Sequence, residues 1–358
     1  TFATNHIFIT PRNLSNLFLQ TVPVAILAAG MTLIIVTGNI DLSVGALAGF
    51  CGAVAAVLQV KYQFGTFSVI LAALGVGLVI GLWHGFWIAY QKVPAFIVTL
   101  SSMLALRGAV LGVTDGMTIG PMQDSFKAIG QKYLPPYFSA GAGFNDSSLA
   151  VALICITLFL IFDWNGRRAR IKFGFEVLPL NAQILRMTLI ALAMAAFFSV
   201  MIFYQGIAYS VLLLIAITVV FSFVSTDTVF GRRLYAIGGN ADAARLSGIN
   251  IEKNILMLYL IYGVLTAVAG VVLTARLNAA TTSAGTNMEL DAIAAAVIGG
   301  TSLLGGEGTI VGAIIGALIM ASLDNGMSLM NMNITYQYII KGMILLFAVW
   351  LDIYNRRK

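Results

Sequence analysis

Eleven apolar runs follow one another along this 358-residue chain, separated by short polar or glycine-rich breaks. A run of about 20 apolar residues is long enough to cross the hydrocarbon core of a bilayer as a helix. Hydrophobic residues make up 59% of the sequence and charged residues only 9%, a balance that is foreign to soluble globular domains. The pattern predicts an all-α fold, a polytopic transmembrane helix bundle that forms a single domain over residues 1–358.

The apolar runs differ in length, and several fall short of the roughly 20 residues that a full crossing needs. We therefore expect some of them to be half-helices or re-entrant segments. Polar or glycine-rich breaks at Thr37–Leu42 and Gly299–Gly308 separate neighbouring spans. The predicted spans are Thr21–Val36, Ser43–Val60, Ser68–Tyr90, Ala95–Val113, Leu149–Phe162, Met187–Tyr204, Ala208–Val224, Ile255–Leu277, Leu290–Leu303, Thr309–Leu323 and Tyr336–Trp350.

Lysine and arginine placement predicts the orientation, because cytoplasmic loops of membrane proteins carry an excess of both. When the C-terminal Arg356-Arg357-Lys358 is placed in the cytoplasm, most of the 20 basic residues fall in inside loops. Arg107 and Lys341 lie within spans. Eleven crossings then leave Thr1 outside. From this we expect that a further helix precedes Thr1 in the complete protein, giving about twelve spans.

Three longer polar segments connect the spans. Residues 114–147, which contain three prolines, form the largest outside loop. Residues 163–186 form an inside insertion with a cluster of arginines, and residues 226–254 form a second inside loop. For the arginine cluster, contact with anionic lipid is a better interpretation than a substrate site.

The second inside loop contains the longest polar stretch of the chain, Phe230 to Asn250. Asn240 is a good N-cap, Asp242 places a negative charge in the first turn, and Gly248 is a natural C-terminal stop. A short helix of about seven residues, with small residues on its surface and basic residues on both sides, is suited to docking into another protein. The alternative is an ordinary basic cytoplasmic loop. The helix-forming residues between the caps are Ala243, Ala244, Arg245 and Leu246.

Polar side chains beside or within apolar spans are costly to bury and therefore mark candidate substrate contacts. A neutral sugar would need hydrogen-bond partners and an aromatic face. The alternative is that these groups cap helix ends or pair internally, as Arg107 could with a carboxylate, and for the three acidic residues we favour such structural roles. The candidate pathway residues are Asn39, Asp41, Ser43, Trp83, Trp87, Phe96, Asn287, Glu289, Asp291 and Asn325.

Small residues also recur at four-residue spacing, which lets neighbouring helices approach closely and indicates packing rather than chemistry. His84, among aromatic and glycine residues, is expected to be packed rather than to relay protons. The sequence contains no phosphate-binding loop, no metal-binding pattern and no catalytic constellation. The glycine ladders are Gly77/Gly81/Gly85, Gly308/Gly312/Gly316 and Gly45/Gly49.

A family resemblance rests on several of these stretches. Asp242-Ala243-Ala244-x-x-x-Gly248 resembles the Glu-Ala-Ala-x3-Gly coupling loop of ABC importer permeases, with Asp in place of Glu. The wider text RRLYAIGGNADAARLSGIN resembles the monosaccharide (ribose, xylose, galactose) permeases of bacterial ABC importers, as do GNIDLSVGALAG and ELDAIAAAVIGGTSLLGGEGTIVGA. The segment ASLDNGMSLM, Ala321 to Met330, is similar to the xylose or multiple-sugar type.

The resemblance implies a multi-pass permease subunit of the bacterial inner membrane with a cytoplasmic C-terminus. It implies a second permease copy as homodimer partner, a cytoplasmic ATP-binding subunit that holds ATP and Mg, and a periplasmic sugar-binding protein. No cofactor in this chain and no nucleic-acid partner are expected, while membrane lipid surrounds it. The outside loop at 114–147 would then be a platform for the binding protein, or else a simple connector.

Two other functional classes stay open at this point. An ion-coupled secondary transporter could use Asp41, Glu289 and Asp291 as intramembrane ionisable groups. A docking helix is unnecessary in such a carrier, which favours the importer. A membrane enzyme is disfavoured because the sequence shows no catalytic constellation. The same ABC permease role for a different small solute is the nearest alternative.

Overall fold

The computed structural model describes residues 6–139 and 143–356, and the regular structure there is helical apart from two isolated β-bridges. This confirms the predicted fold class. Thr1 and the final Arg357-Lys358 lie outside the described residues.

The helices are α1 (Pro11–Val36), α2 (Val44–Ala56, continued by a wider turn Val57–Lys61), α3 (Thr66–Gly85, continued by Phe86–Tyr90), α4 (Ala95–Thr114), α5 (Asp124–Gln131), α6 (Asp146–Lys172), α7 (Leu180–Ile202), α8 (Tyr209–Asp227), α9 (Val229–Gly239), α10 (Ala241–Leu246), α11 (Ile251–Leu277), α12 (Met288–Ile298), α13 (Ile310–Leu329) and α14 (Ile334–Arg356).

Within the described residues, ten helices are long and apolar enough to cross a membrane. The predicted span Leu290–Leu303 is not one of them. In its place stands the 11-residue helix α12, which is only about 16 Å long. A turn-rich stretch, residues 278–287, leads from α11 into α12. The expectation of half-helices is confirmed at this place.

Two other boundaries differ from the prediction. Helix α1 begins at Pro11 rather than Thr21, because the Thr10 side chain caps it and proline is favourable in the first turn. Helix α6 continues to Lys172, so much of the predicted insertion at 163–186 is helical. The irregular connection between α6 and α7 is reduced to residues 173–179.

Short helices identify the two ends of the bundle, which we call the α5 end and the α10 end. At the α5 end, Gln131 of α5 donates to the Arg276 carbonyl at the end of α11 (2.8 Å). At the α10 end, Lys92 after α3 pairs with Glu252 at the start of α11 (2.6 Å). The connections that the lysine and arginine pattern places in the cytoplasm, including α6–α7 and α8–α11, lie at the α10 end.

Helices α1 and α11 lie side by side at the centre and are largely buried. Their neighbours correspond: α1 packs against α12 and α13, while α11 packs against α2 and α3. Likewise α2 packs against α4, and α12 against α14. Because α1 and α11 run in opposite directions, the units α1–α4 and α11–α14 form an inverted repeat, an arrangement common among transporters.

The repeat is visible in the sequence at the two breaks. Asn39–Leu42 before α2 reads NIDL, and Asn287–Leu290 at the start of α12 reads NMEL. Asp41 and Glu289 therefore occupy equivalent positions, each at the N-terminus of a helix that starts after a break. A negative charge is favourable at such a helix end.

The glycine ladders pack as predicted. Those of α3 lie against α11, where a Cβ at Gly77 or Gly81 would run into the backbone carbonyls of Gly263 and Tyr259. Gly312 and Gly316 of α13 lie equally close to the backbone of α12. These contacts bring helix backbones together and hold the core in one arrangement.

Candidate functional site

The predicted docking helix is α10, six residues long instead of about seven. The Asn240 side chain accepts a hydrogen bond from the Ala243 backbone N–H (2.9 Å), which confirms it as the N-cap. Asp242 is exposed in the first turn, where its charge meets the positive end of the helix. The position at which this helix starts is thus set by residues within the same turn.

Helix α10 ends in a Schellman motif. The Gly248 N–H donates to the Arg245 carbonyl (3.0 Å), and the Ile249 N–H donates to the Ala244 carbonyl (3.1 Å). Gly248 has φ +82°, in the left-handed region that glycine adopts without steric strain. A Cβ at Gly248 would meet open space, so steric overlap does not demand glycine there. The constraint is the backbone dihedral.

The surface of α10 also differs from expectation. Ala244 is buried against the rest of the chain, whereas Ala243 and Arg245 are exposed. Leu246 is 90% exposed, an unusual degree for an apolar side chain outside the spans. Arg245 reaches Glu252 at the start of α11 (3.3 Å). The helix is therefore fixed on one side and presents an apolar tip on the other.

Helix α9 joins α10 to the core. At Gly238 there is no room for a Cβ, because the Val36 carbonyl at the end of α1 and the Gly306 backbone nitrogen lie against it. The Gly306 N–H in turn donates to the Val36 carbonyl (2.8 Å). The Tyr235 hydroxyl donates to the Gly308 carbonyl (2.7 Å), and burial raises the pKa of Tyr235 above its ordinary value, so the hydroxyl keeps its proton. A movement of α10 would thus reach α1 and the α12–α13 connection through α9.

The break before α2 contains a buried polar cluster. One Asp41 carboxylate oxygen accepts from the Ser43 N–H (2.8 Å) and the Ser43 hydroxyl (2.6 Å). The other oxygen lies 3.9 Å from Nδ1 of His84 on α3. Tyr259 of α11 packs edge-on against His84, 6.1 Å between ring centroids. His84 is packed, as predicted, and Asp41 serves the turn into α2, so the structural interpretation fits both.

The break before α12 is held by Arg107 of α4. Its guanidinium donates to the carbonyls of Ala284 (2.9 Å) and Gly285 (2.8 Å). Among the described residues Arg107 forms no salt bridge: its hydrogen bonds go to backbone carbonyls, while its charge acts on the Glu289 carboxylate nearby. Glu289 is buried next to Gly45 of α2, and its Oε2 has no hydrogen-bond partner within the described chain. The starts of α2 and α12 thus meet inside the bundle.

A third polar group connects α12, α13 and α14. Lys341 of α14 pairs with Asp291 of α12 (2.9 Å) and with Asp324 of α13 (2.7 Å). Nearby in sequence, Asn325 exchanges hydrogen bonds with Asn13 of α1 (2.8 and 3.1 Å). Asp291 and Asn325 therefore have partners within the chain that join helices.

The remaining candidate pathway residues do not join these groups. Asn39 donates locally to Thr37, and Asn287 precedes α12 in a left-handed conformation without a side-chain cap. Trp83 and Trp87 contact each other edge-on, 5.4 Å between centroids. Trp83 and Phe96 are both about half exposed. The ten predicted residues thus fall into separate clusters rather than one pocket within this chain.

Lys341→Met is expected to destabilise the protein by about 1–3 kcal/mol, because it leaves two neighbouring carboxylates without a countercharge. This is less than a fully buried pair would lose, since the Lys341 side chain is 21% exposed. Thermal melting in detergent measures the change. Adding Asp291→Asn and Asp324→Asn should recover most of the loss.

The matched control is Lys61→Met, which removes an exposed pair with Asp115 and should change stability by about 0–1 kcal/mol. Equal losses for Lys341→Met and Lys61→Met would mean that the α12–α13–α14 ion pairs do not stabilise the bundle.

Known proteins and one family model match this chain over almost its whole length. The family model described as branched-chain amino acid transport system / permease component matches residues 13–349. The chain is 45% identical over its full length, and over 89% of the relative, to the xylose transport system permease protein XylH of Escherichia coli (strain K12). It is 44% identical to XylH of Haemophilus influenzae over 99% of this chain and 92% of that protein. It is 36% identical to the ribose import permease protein RbsC of Escherichia coli (strain K12) over 96% of this chain and 87% of that protein. No solved structure matches the chain.

Proposed function

The chain belongs to the family of branched-chain amino acid transport system permease components, and we propose that it is the membrane-spanning permease subunit of an ATP-driven monosaccharide importer in the bacterial inner membrane. Relatives that it covers almost completely are named as xylose transport and ribose import permeases. The ten long apolar helices of the described residues and the inverted repeat suit a subunit that forms a pathway through the membrane.

The observation that carries the proposal is α10. This six-residue helix is closed by its own N-cap and Schellman stop, is held on one side by buried Ala244, and leaves the exposed Leu246 available to a partner. We assign the partner as a cytoplasmic ATP-binding subunit, which holds ATP and Mg and performs the hydrolysis. Its movement would be transmitted through α9 to the end of α1. The coupling residues would be Asn240, Asp242, Ala243, Ala244, Arg245, Leu246 and Gly248.

The α10 end would face the cytoplasm, because most lysine and arginine residues of the loops lie there. The C-terminal end of α14 lies at the same end, where Ser302 of the α12–α13 connection reaches Asp352 (3.5 Å). The C-terminus would therefore be cytoplasmic.

The α5 end would then face the periplasm and receive a sugar-binding protein on residues 114–147. Helix α5 is anchored there by buried Phe126. Lys127 pairs with Asp124 on its exposed side (2.6 Å), and this hydrogen bond holds the pKa of Asp124 below its ordinary value. Asp124 therefore stays ionised at neutral pH, and the pair offers a polar surface.

A second copy of the chain would complete the pathway. The exposed aromatic side chains Trp83 and Phe96 would contribute to it, together with the polar breaks before α2 and α12. The substrate would be a pentose such as xylose, since the relatives with the higher identity are named for xylose. The description of the family model names branched-chain amino acids, which are therefore the competing solute class to test.

Uptake into proteoliposomes tests the proposal. The chain, its genetically adjacent ATP-binding subunit and binding protein are reconstituted, and labelled xylose, ribose and leucine are offered. Sugar uptake should require ATP and survive an uncoupler, and the purified chain alone should hydrolyse no ATP. Uptake that collapses with the uncoupler but not with ATP depletion would establish an ion-coupled carrier instead. ATP-driven uptake of leucine alone would overturn the sugar assignment while keeping the permease role.

A further inference from the structure

A cavity of about 730 Å³ lies between α6 and α7 at the α10 end, away from the docking helix and the polar breaks. Its lining combines three arginines with apolar side chains. The connection at 173–179 closes one side of it through Leu178 and its neighbours. The cavity has no part in the transport steps proposed above.

The three arginines of the lining differ in whether a carboxylate pairs with them. Arg186 pairs with Asp163, to which Gln183 also donates, so that carboxylate is fully engaged. Arg167 donates to the neutral carbonyl of Leu178 (2.5 Å). Among the described residues, neither Arg167 nor Arg170 forms a salt bridge. Two guanidinium charges therefore face the cavity without a paired carboxylate.

The other part of the lining is apolar. Phe159 and Phe162 lie one turn apart on α6. Both are nearer to the middle of the helix than the arginines are. Phe162 is 70% exposed. Because α6 is a candidate membrane span that ends at Lys172, Arg167 and Arg170 in its last turns would lie at head-group depth, and the two phenylalanines would lie below them in hydrocarbon.

The connection itself carries features of a membrane interface. Phe173 and Phe175 are 72% and 67% exposed, and they follow directly on Lys172. Exposed aromatic rings next to basic side chains are typical of segments that rest on an anionic bilayer surface. The cavity therefore opens where phospholipid head groups are found.

We propose that this cavity binds one anionic phospholipid, with the phosphate held by Arg167 and Arg170 and an acyl chain lying along Phe159 and Phe162. Guanidinium groups bind phosphate oxygens through paired hydrogen bonds. A free phosphate would use the arginines but leave the aromatic wall without a partner. A zwitterionic lipid would bring its own cation toward the arginines and would therefore bind more weakly.

Native mass spectrometry of the delipidated protein tests this, with phosphatidylglycerol and phosphatidylcholine as the added lipids. Arg170→Gln should weaken phosphatidylglycerol binding about fivefold, the effect of one basic residue at a membrane surface. The matched control is Arg168→Gln, whose side chain stacks over Trp164 (5.8 Å) and does not line the cavity. That variant should leave phosphatidylglycerol binding unchanged.

A gain-of-binding variant excludes misfolding as the cause. Glu176→Gln removes the lining's other carboxylate, which forms no salt bridge with the described residues, and should tighten phosphatidylglycerol binding. Equal weakening by Arg170→Gln and Arg168→Gln would show general surface attraction and overturn the site. Displacement of the lipid by inorganic phosphate alone would assign the arginines to a small anion instead. Loss of lipid binding on assembly with the ATP-binding subunit would assign the cavity to that subunit.

Discussion

Gly248→Val is expected to lower ATP-driven sugar uptake about tenfold or more, with the protein still inserted in the membrane at normal levels. The residue ends α10 with φ +82°, a conformation that a β-branched side chain adopts only with strain of about 1–3 kcal/mol. Each 1.4 kcal/mol corresponds to roughly a factor of ten in an equilibrium. The valine should therefore unwind the Schellman turn and misdirect the docking helix. Uptake and substrate-stimulated ATP hydrolysis in proteoliposomes measure the loss.

Three variants separate this effect from general damage. Gly239→Ala adds a side chain at another glycine of the same loop, in open space and without a left-handed φ, and should be silent. Gly248→Asn should retain most activity, because asparagine tolerates the left-handed conformation. Asp242→Asn removes only a charge at an exposed helix end, about 0.3–1 kcal/mol, and should lower uptake mildly. Wild-type uptake by Gly248→Val would show that residues 240–248 are an ordinary basic loop.

The second large effect is expected inside the bundle, where α2 meets the approach to α12. Gly45 and Gly285 lie backbone to backbone, so a Cβ on either one would overlap the carbonyl of the other. Arg107 of α4 also binds this stretch through two carbonyls, which restrains it from moving away. Gly45→Ala should therefore destabilise the protein by about 1–3 kcal/mol, as overpacking does. Gly285→Ala should lose more stability than Gly45→Ala, because φ at Gly285 is +73°, in the left-handed region that alanine adopts only with strain.

The controls use the same substitution at helical glycines with free space. Gly75→Ala in α3 and Gly108→Ala in α4 meet no atom within 4 Å and should leave melting unchanged or raise it slightly. Thermal unfolding in detergent and uptake in proteoliposomes are measured together. If Gly45→Ala melts like Gly75→Ala, the backbone contact at the two breaks is loose and does not organise the bundle.

Local chemistry was sufficient for the parts of this protein that depend on neighbours in the chain. Asn240 caps α10 and Gly248 ends it because both act on backbone groups within four residues. Ten of the eleven predicted spans match helices of the described residues that are long and apolar enough to cross a membrane, because hydrophobicity along one segment decides whether it can lie in lipid. The glycine ladders indicated close helix packing, because the spacing of small residues is a property of one segment. They did not indicate which helix would pack there.

The inverted repeat is partly visible in the sequence and partly visible only in the packing of the helices. The equivalence of Asn39–Leu42 and Asn287–Leu290 is present in the printed sequence, and a search for internal similarity could have detected it. The two segments share only a short pattern, so the sequence does not by itself single out the repeat. The packing of α1 against α13 and of α11 against α3 makes the correspondence plain.

Only the tertiary structure decided how the intramembrane polar groups are satisfied. Arg107 could have faced any carboxylate, yet its partners are carbonyls near residue 285, and Lys341 rather than solvent faces Asp291. The sequence predicted that these groups needed partners, because unsatisfied charges in a bilayer are costly. It could not choose the partners, since each lies on a helix distant in the chain and is brought near only when the helices pack. For the same reason the span predicted at Leu290–Leu303 became a half-helix: its missing length is supplied by a polar stretch that Arg107 and α2 hold in place.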